Sequence, residues 1–270
     1  MPANTQVKEK TALRKRYIAR FVGRILVLII ATLLYFFDRE QFYVINGHNF
    51  FHKFSLFHIL WIIWVIDMLL QLIPVKNHIP LGSHKHFGYQ FRMAKERINL
   101  DSLKKYISSI SRSAYKVMVL WLALLGAIAG LYYTDVLTKA HLLMISVLFY
   151  VFDLICVLIW CPFRLMMGNK CCTTCRIFNW DHFMMFSPLV FAGGFYAISL
   201  FALAMVDFIV WEVCVLLYPE RFWEGSNVSL QCSECTDKLC TQYCQKLRKK
   251  NSATDVIFPN KSSENKAKSK

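Results

Sequence analysis

The chain has 270 residues, of which 56% are hydrophobic and 15% aromatic, and it carries a formal net charge of +15 at pH 7. So apolar a composition excludes an ordinary soluble domain and indicates a membrane protein. In that setting the positive charge reflects the lysine and arginine that accumulate in cytoplasmic loops. Nucleic acid is therefore not an expected partner, and the lipid bilayer is.

Apolar runs divide the chain into membrane-spanning segments. A helix needs about 20 mostly apolar residues to cross the hydrocarbon core of a bilayer. The predicted spans are residues 21–37, 55–73, 117–133 and 141–160. With a further apolar stretch at 183–218, they predict an all-α fold, a polytopic transmembrane helical bundle of five or six spans within residues 21–218.

Basic residues predict the orientation of these spans. Residues 1–20 form a basic N-terminus and the loop 74–116 is also rich in lysine and arginine, whereas the connections 38–54 and 134–140 hold few such residues. Because basic loops stay on the cytoplasmic side, we expect the N-terminus, the loop 74–116 and the loop 161–182 to be cytoplasmic. The predicted location is the plasma membrane.

The loop 74–116 contains a predicted amphipathic helix. Over residues 93–112 apolar side chains recur at helical spacing, and lysine and arginine occupy the remaining positions. The basic and aromatic residues around His84 and His86 are typical of a loop that contacts anionic lipid headgroups, although the two imidazoles could instead bind a metal. We expect this loop to lie on the inner leaflet or on a membrane protein partner.

Two parts of the chain resemble each other. The run VIDMLLQLI at Val65–Ile73 matches VFDLICVLI at Val151–Ile159, and each follows a span that ends in tyrosine and then aspartate. The match predicts a parallel repeat of helical hairpins, residues 21–73 and 117–160. The alternative is chance similarity between apolar segments.

The stretch 183–218 decides on which side the tail lies. If the stretch were divided into two spans, each would be too short to cross the bilayer comfortably. Gly193-Gly194, as a turn signal, also stands too early to divide the stretch evenly, so length and turn chemistry favour one helix. The repeat and the cysteine spacing favour two. We expect a cytoplasmic tail, with a cysteine-rich module at 219–250 and a disordered basic end at 251–270.

Cysteine spacing predicts a metal site. Cys172 and Cys175 form one C-x-x-C pair, Cys232 and Cys235 form a second, and Cys240 is the chief rival ligand. Two such pairs on one face supply the four thiolates of a tetrahedral zinc site. A site of this kind is structural, since it leaves no open position for water.

Two other uses of these thiols stay open. The tail cysteines are spaced C-x2-C-x4-C-x3-C, close to iron–sulfur cluster motifs but matching neither common ferredoxin spacing. If the tail is external, its four cysteines could form two disulfides, and Asn227 would then be a glycosylation acceptor.

Three aspartates stand inside apolar spans. Asp67 and Asp153 occupy matching positions in the repeat, and Asp207 lies in the last apolar stretch. Ionisable groups within a membrane are costly and usually functional, so a proton or cation path along them is one interpretation. The other is that each pairs with a loop arginine or caps a helix end.

Three function classes follow from these patterns. The leading one is a non-enzymatic scaffold, sensor or assembly factor with a structural zinc. The second is a membrane redox protein with an iron–sulfur cluster or a reactive thiol pair, and the third is a small transporter that uses the intramembrane aspartates. None of the phosphate-loop, HExxH or GxSxG motifs is present in the sequence, which favours a protein that is not an enzyme.

Overall fold

The computed structural model describes residues 3–47, 49–73, 83–94, 100–168 and 175–231. Over these residues the chain is built of helices and contains no strand, which confirms the all-α fold class. The helices are α1 (Ala3–Phe37), α2 (Leu56–Leu72), α3 (Leu100–Tyr133), α4 (Lys139–Leu158), α5 (Pro162–Met167), α6 (Asp181–Phe186) and α7 (Gly194–Leu217).

Four of these helices are long and apolar enough to cross a membrane. They are α1 from Lys15 onward, α3, α4 and α7, whereas α2 is equally apolar but has 17 residues. Their outward surfaces are apolar, with exposed side chains such as Leu26, Val119 and Leu216. Polar groups such as Arg24 and Asp207 are buried instead, and this pattern is typical of a protein surrounded by lipid.

Two predicted boundaries differ from the structure. The predicted surface helix 93–112 and the predicted span 117–133 belong to one helix from Leu100 onward, because no glycine or proline separates them before Gly126. The stretch 183–218 is not one helix. It breaks at Gly193 and Gly194, whose φ angles of 63° and 78° lie in the left-handed region that favours glycine.

The helices run between two ends of the bundle. We call the end formed by residues 38–55, 134–138 and 193–194 the aromatic end. There an ideal Cβ on Gly194 would lie 2.7 Å from the carbonyl oxygen of Ile45, so the break before α7 abuts the connection between α1 and α2.

We call the opposite end the polar end. It contains the last turns of α2, α4 and α7 and the first turns of α3. The segment 219–231 after α7 joins the segment 83–94 after α2 there through a short antiparallel bridge between Met93 and Asn227. The backbone N–H of Val228 donates to the carbonyl of Arg92 at 2.8 Å.

The segment 176–192 connects the two ends. It consists of a 3-10 turn (Arg176–Trp180), α6 and a second 3-10 turn (Ser187–Ala192). A 3-10 turn rises about 2.0 Å per residue against about 1.5 Å in an α-helix, so pieces of these lengths would extend to about 30 Å if they were collinear. It packs between α4 and α7, while α1 packs on α4 and α2 packs on α7.

The predicted hairpin repeat stays a prediction. The second helix of each hairpin does begin with the same device, a capping box of Ser55 with His58 and of Thr138 with His141. The two helices differ in length, with 17 residues in α2 and 20 in α4.

Candidate functional site

Buried charges cluster near the polar end, where α1, α4, the 176–192 segment and α7 meet. The three aspartates singled out in the sequence all lie there. Asp153 on α4 and Asp207 on α7 are buried, and Asp67 on α2 is partly buried and accepts a hydrogen bond from the Tyr150 hydroxyl at 3.3 Å. The side chains of these aspartates have three different environments.

Asp153 is paired with an arginine from a neighbouring helix. The Nη1 atom of Arg24 on α1 lies 2.6 Å from Oδ2 of Asp153 and donates a second hydrogen bond, at 2.7 Å, to the carbonyl of Tyr150. The guanidinium also lies 3.9 Å from the centre of the Tyr150 ring. The free-energy cost of removing both charges from water is thus offset by an ion pair, hydrogen bonds and a cation–π contact.

Among the described residues, Asp207 is paired with a histidine and not with an arginine or lysine. Its side chain is 1% exposed, and neither carboxylate oxygen accepts a hydrogen bond of normal geometry from the residues described. Nδ1 of His182 lies 3.4 Å from Oδ2 of Asp207, close enough for an ion pair when the imidazole is protonated. A buried carboxylate is strongly destabilising unless its charge is neutralised, so we expect either a proton on this His182–Asp207 pair or a bound cation.

Asp181 completes the group around His182. Its Oδ1 atom lies 3.2 Å from Nδ1 of His182 and accepts a hydrogen bond from Gln71 on α2 at 3.2 Å. One ligand atom from each of Asp181, His182 and Asp207 falls within 4.8 Å of the others. We call these three residues the His–Asp cluster, and its imidazole nitrogen and carboxylate oxygens are suitable ligands for a divalent cation.

The local fold explains how the cluster forms. Asp181 and His182 begin α6 directly after the 3-10 turn Arg176–Trp180, and this turn is fixed by Glu212 of α7. Glu212 accepts from Nε of Arg176 at 3.1 Å and from Nε1 of Trp180 at 2.7 Å. The turn therefore holds α6 beside α7 at the level of Asp207.

Arg24 was not identified as a site residue from the sequence. It stands inside the apolar run FVGRILVL, within the predicted span 21–37. A lone arginine in such a run signals an internal ion pair, because an unpaired charge at that position is too costly. His182 was not identified from the sequence either, since nothing local in the sequence relates it to Asp207.

The predicted thiolate site lies mostly outside the described residues. Cys172, Cys232, Cys235 and Cys240 are among those not described. Cys175 is buried at the polar end, in an apolar cluster that includes Ala114 and Trp180. The sharing of one zinc ion by the two C-x-x-C pairs stays a prediction, as does an iron–sulfur cluster.

Comparison of the chain with protein-family models, curated proteins and solved structures found no match. The functional interpretation therefore rests on the geometry of this chain alone.

Proposed function

We propose that the protein is a multi-pass membrane protein that binds a cation within its helical bundle, as small ion-coupled transporters do. The observation that supports this most directly is the buried carboxylate of Asp207, which has no hydrogen-bond partner among the described residues and faces His182 and Asp181. Ionisable groups inside a membrane bundle mark ion pathways and proton relays. A divalent cation, or a proton on the same groups, would neutralise this carboxylate.

We propose that the chain crosses the membrane six times. A segment built like 176–192 can extend to about 30 Å if its turns are collinear, which is the thickness of the hydrocarbon core. If this segment crosses together with α1, α2, α3, α4 and α7, the number of passes is even and both termini lie on one side. The positive-inside rule favours the cytoplasm for that side.

Binding of Mn²⁺ followed by electron paramagnetic resonance tests the proposal. Mn²⁺ suits oxygen and nitrogen ligands and not the thiolates elsewhere in the chain. We expect the purified wild-type protein to bind it, and Asp207→Asn to weaken binding by at least about 100-fold because a direct ligand is lost. The matched control is Asp67→Asn, which removes an aspartate outside the His–Asp cluster and should bind Mn²⁺ as the wild type does.

Uptake of Mn²⁺ into proteoliposomes separates transport from binding alone. A transporter should take up the ion under an imposed membrane potential, and Asp207→Asn should abolish the uptake. Equal Mn²⁺ binding by the wild type and Asp207→Asn would exclude the His–Asp cluster as the site. Binding without uptake would leave a metal-binding membrane protein and reject the transporter class.

A structural zinc site at the polar end is a second proposal, and it corresponds to a membrane scaffold, sensor or assembly factor. It is supported by the positions of two described parts of the chain: the residues around Cys175, and the segment 219–231 that leads to the tail cysteines. Arg176, next to Cys175, lines a small pocket with Pro219 and Phe222 of the segment that leads to the tail. The tail thus starts at the same end of the bundle as Cys175.

Elemental content of the purified protein tests the zinc proposal. We expect about one zinc per chain from a site of four thiolates, and its loss in the Cys172→Ser, Cys235→Ser double variant. Cys214→Ser, in α7, is the control that should retain the metal. Iron with acid-labile sulfide would favour the redox class, and absence of metal together with disulfide-bonded tail thiols would contradict a cytoplasmic tail.

A further inference from the structure

A cavity of about 370 Å³ lies between α3 and α4. Trp121 and Leu124 of α3 form one wall, and Phe152 and Cys156 of α4 form the facing wall. α3 packs mainly on α5 and on the turn 187–192, and it contacts α4 at the ring pair of Trp121 and Phe149. The chain between α4 and α5, with Phe163 of α5, closes the cavity toward the polar end.

The cavity lining is almost entirely apolar. Aromatic and aliphatic side chains make up most of it, and the thiols of Cys156, Cys161 and Cys175 add small, weakly polar groups. Two carboxylates, of Asp153 and Asp181, reach the lining, but both are already engaged, by Arg24 and by Gln71 respectively. The cavity therefore offers dispersion contacts and no unsatisfied polar group that would demand a charged ligand.

The mouth of the cavity opens on the outward surface of the bundle. Leu124 and Phe152 line it and are each 44% exposed, and Trp160 at its rim is 50% exposed. These side chains belong to the apolar faces of α3 and α4, two helices that are long and apolar enough to cross the hydrocarbon core of a membrane. The molecules that reach the mouth are therefore lipids.

We infer that this cavity holds a hydrocarbon chain of a bilayer phospholipid. The volume lies at the lower end of the range of small-molecule sites, about 300–1,000 Å³, and the gap is too small for a helix, whose diameter with side chains is about 10–12 Å. A chain from the surrounding bilayer restores the contacts that an empty apolar cavity loses. Asp181 lines the cavity and also belongs to the His–Asp cluster, but the apolar contacts that would hold the hydrocarbon chain do not require a bound cation.

Quenching of tryptophan fluorescence by brominated lipid chains tests the inference. Trp121 is 6% exposed and lines the cavity, whereas Trp64 is fully buried and does not. The protein is reconstituted in phosphatidylcholine with brominated acyl chains, and the contribution of each tryptophan is obtained by comparing the wild type with Trp121→Phe and with Trp64→Phe. We expect bromine to quench the Trp121 contribution strongly and to leave that of Trp64 unaffected.

A variant that fills the cavity is the second arm. Cys156→Phe places a ring in the gap and should protect Trp121 from bromine, while an unchanged melting temperature in detergent shows that the variant is folded. Equal quenching of Trp121 and Trp64, or quenching of Trp121 unchanged in folded Cys156→Phe, would overturn the inference. The inference would also be overturned if bromine failed to quench Trp121 in a wild-type protein that chemical cross-linking shows to be dimeric. A second copy of the chain would then cover the mouth of the cavity.

Discussion

The two ends of the bundle are stabilised by different interactions. At the aromatic end, rings pack on one another, as Phe50 does with Trp61 and Phe195, and the helix ends are satisfied by capping residues close in sequence. At the polar end, charges pair across the fold, as in the ion pairs of Arg24 with Asp153 and Arg176 with Glu212.

This difference concentrates the buried charges at one end. Aromatic packing and local caps leave the aromatic end with few ionisable groups in its interior. The polar end carries the cost of buried charges. Arg24 offsets this cost for Asp153, whereas the described partner of Asp207 is a histidine, which is charged only when protonated. Stability should therefore depend on the Arg24–Asp153 pair, and ligand binding on the carboxylate beside the histidine.

Removal of Arg24 should have the largest effect on stability. Arg24→Ala leaves Asp153 buried without its partner, and breaking a buried pair in this way costs about 3–5 kcal/mol. The free energy of unfolding, measured by denaturant titration in detergent micelles, should fall by this amount. The double variant Arg24→Met, Asp153→Leu should lose much less, since it removes both charges, and an equal loss in both variants would show that the charge pairing is not the cause.

At the aromatic end, Gly194→Ala should have a smaller effect. The added Cβ would lie 2.7 Å from the carbonyl oxygen of Ile45 at a φ of 78°, so both a clash and backbone strain oppose it. Strain of this kind costs about 1–3 kcal/mol, measured as loss of unfolding free energy. Gly126→Ala in α3 is the matched control, because no atom lies within 4 Å of its ideal Cβ, and it should be neutral or stabilising. A loss at Gly126 as large as that at Gly194 would contradict the argument.

Of the three variants, loss of the capping box of α2 should reduce the free energy of unfolding least. Ser55 accepts a hydrogen bond from the backbone N–H of Phe57 at 3.2 Å, and its own N–H donates to Nδ1 of His58 at 2.9 Å. Ser55→Ala removes the cap and should cost about 1 kcal/mol of unfolding free energy. Ser55→Asn restores an N-cap oxygen and should recover most of the loss. If Ser55→Asn is no more stable than Ser55→Ala, the hydroxyl acts through its hydrogen bond to the carbonyl of Gln41 and not as a cap.

Hydrophobic runs predicted the long helices well, because period and length are local properties of the chain. The predicted spans 117–133 and 141–160 lie largely within α3 and α4. The break in 183–218 was harder to predict, since a length argument that assumes α-helical rise misses the longer rise of 3-10 turns. Gly193-Gly194 was noticed as a turn signal, but its role depends on a close approach to the distant residue Ile45.

The candidate site was only partly predictable for a similar reason. Asp153 and Asp207 could be identified from the sequence because a carboxylate in an apolar run is conspicuous. Their partners could not be identified in this way. Arg24 pairs with Asp153 and His182 lies beside Asp207 through contacts between residues far apart in the chain. One sequence alone does not contain that pairing information.

The polar start of the segment 176–192 has a consequence for biosynthesis. Arg176 and Asp181 are unfavourable in a lone membrane helix, at about 2.5–3.5 kcal/mol each in the middle of a span. The groups that Arg176 and His182 contact, Glu212 and Asp207, lie on α7, which leaves the ribosome later. If the segment 176–192 crosses the membrane, as proposed above, we expect the insertion machinery to retain it until α7 emerges and to release the two into the bilayer together, as one hairpin.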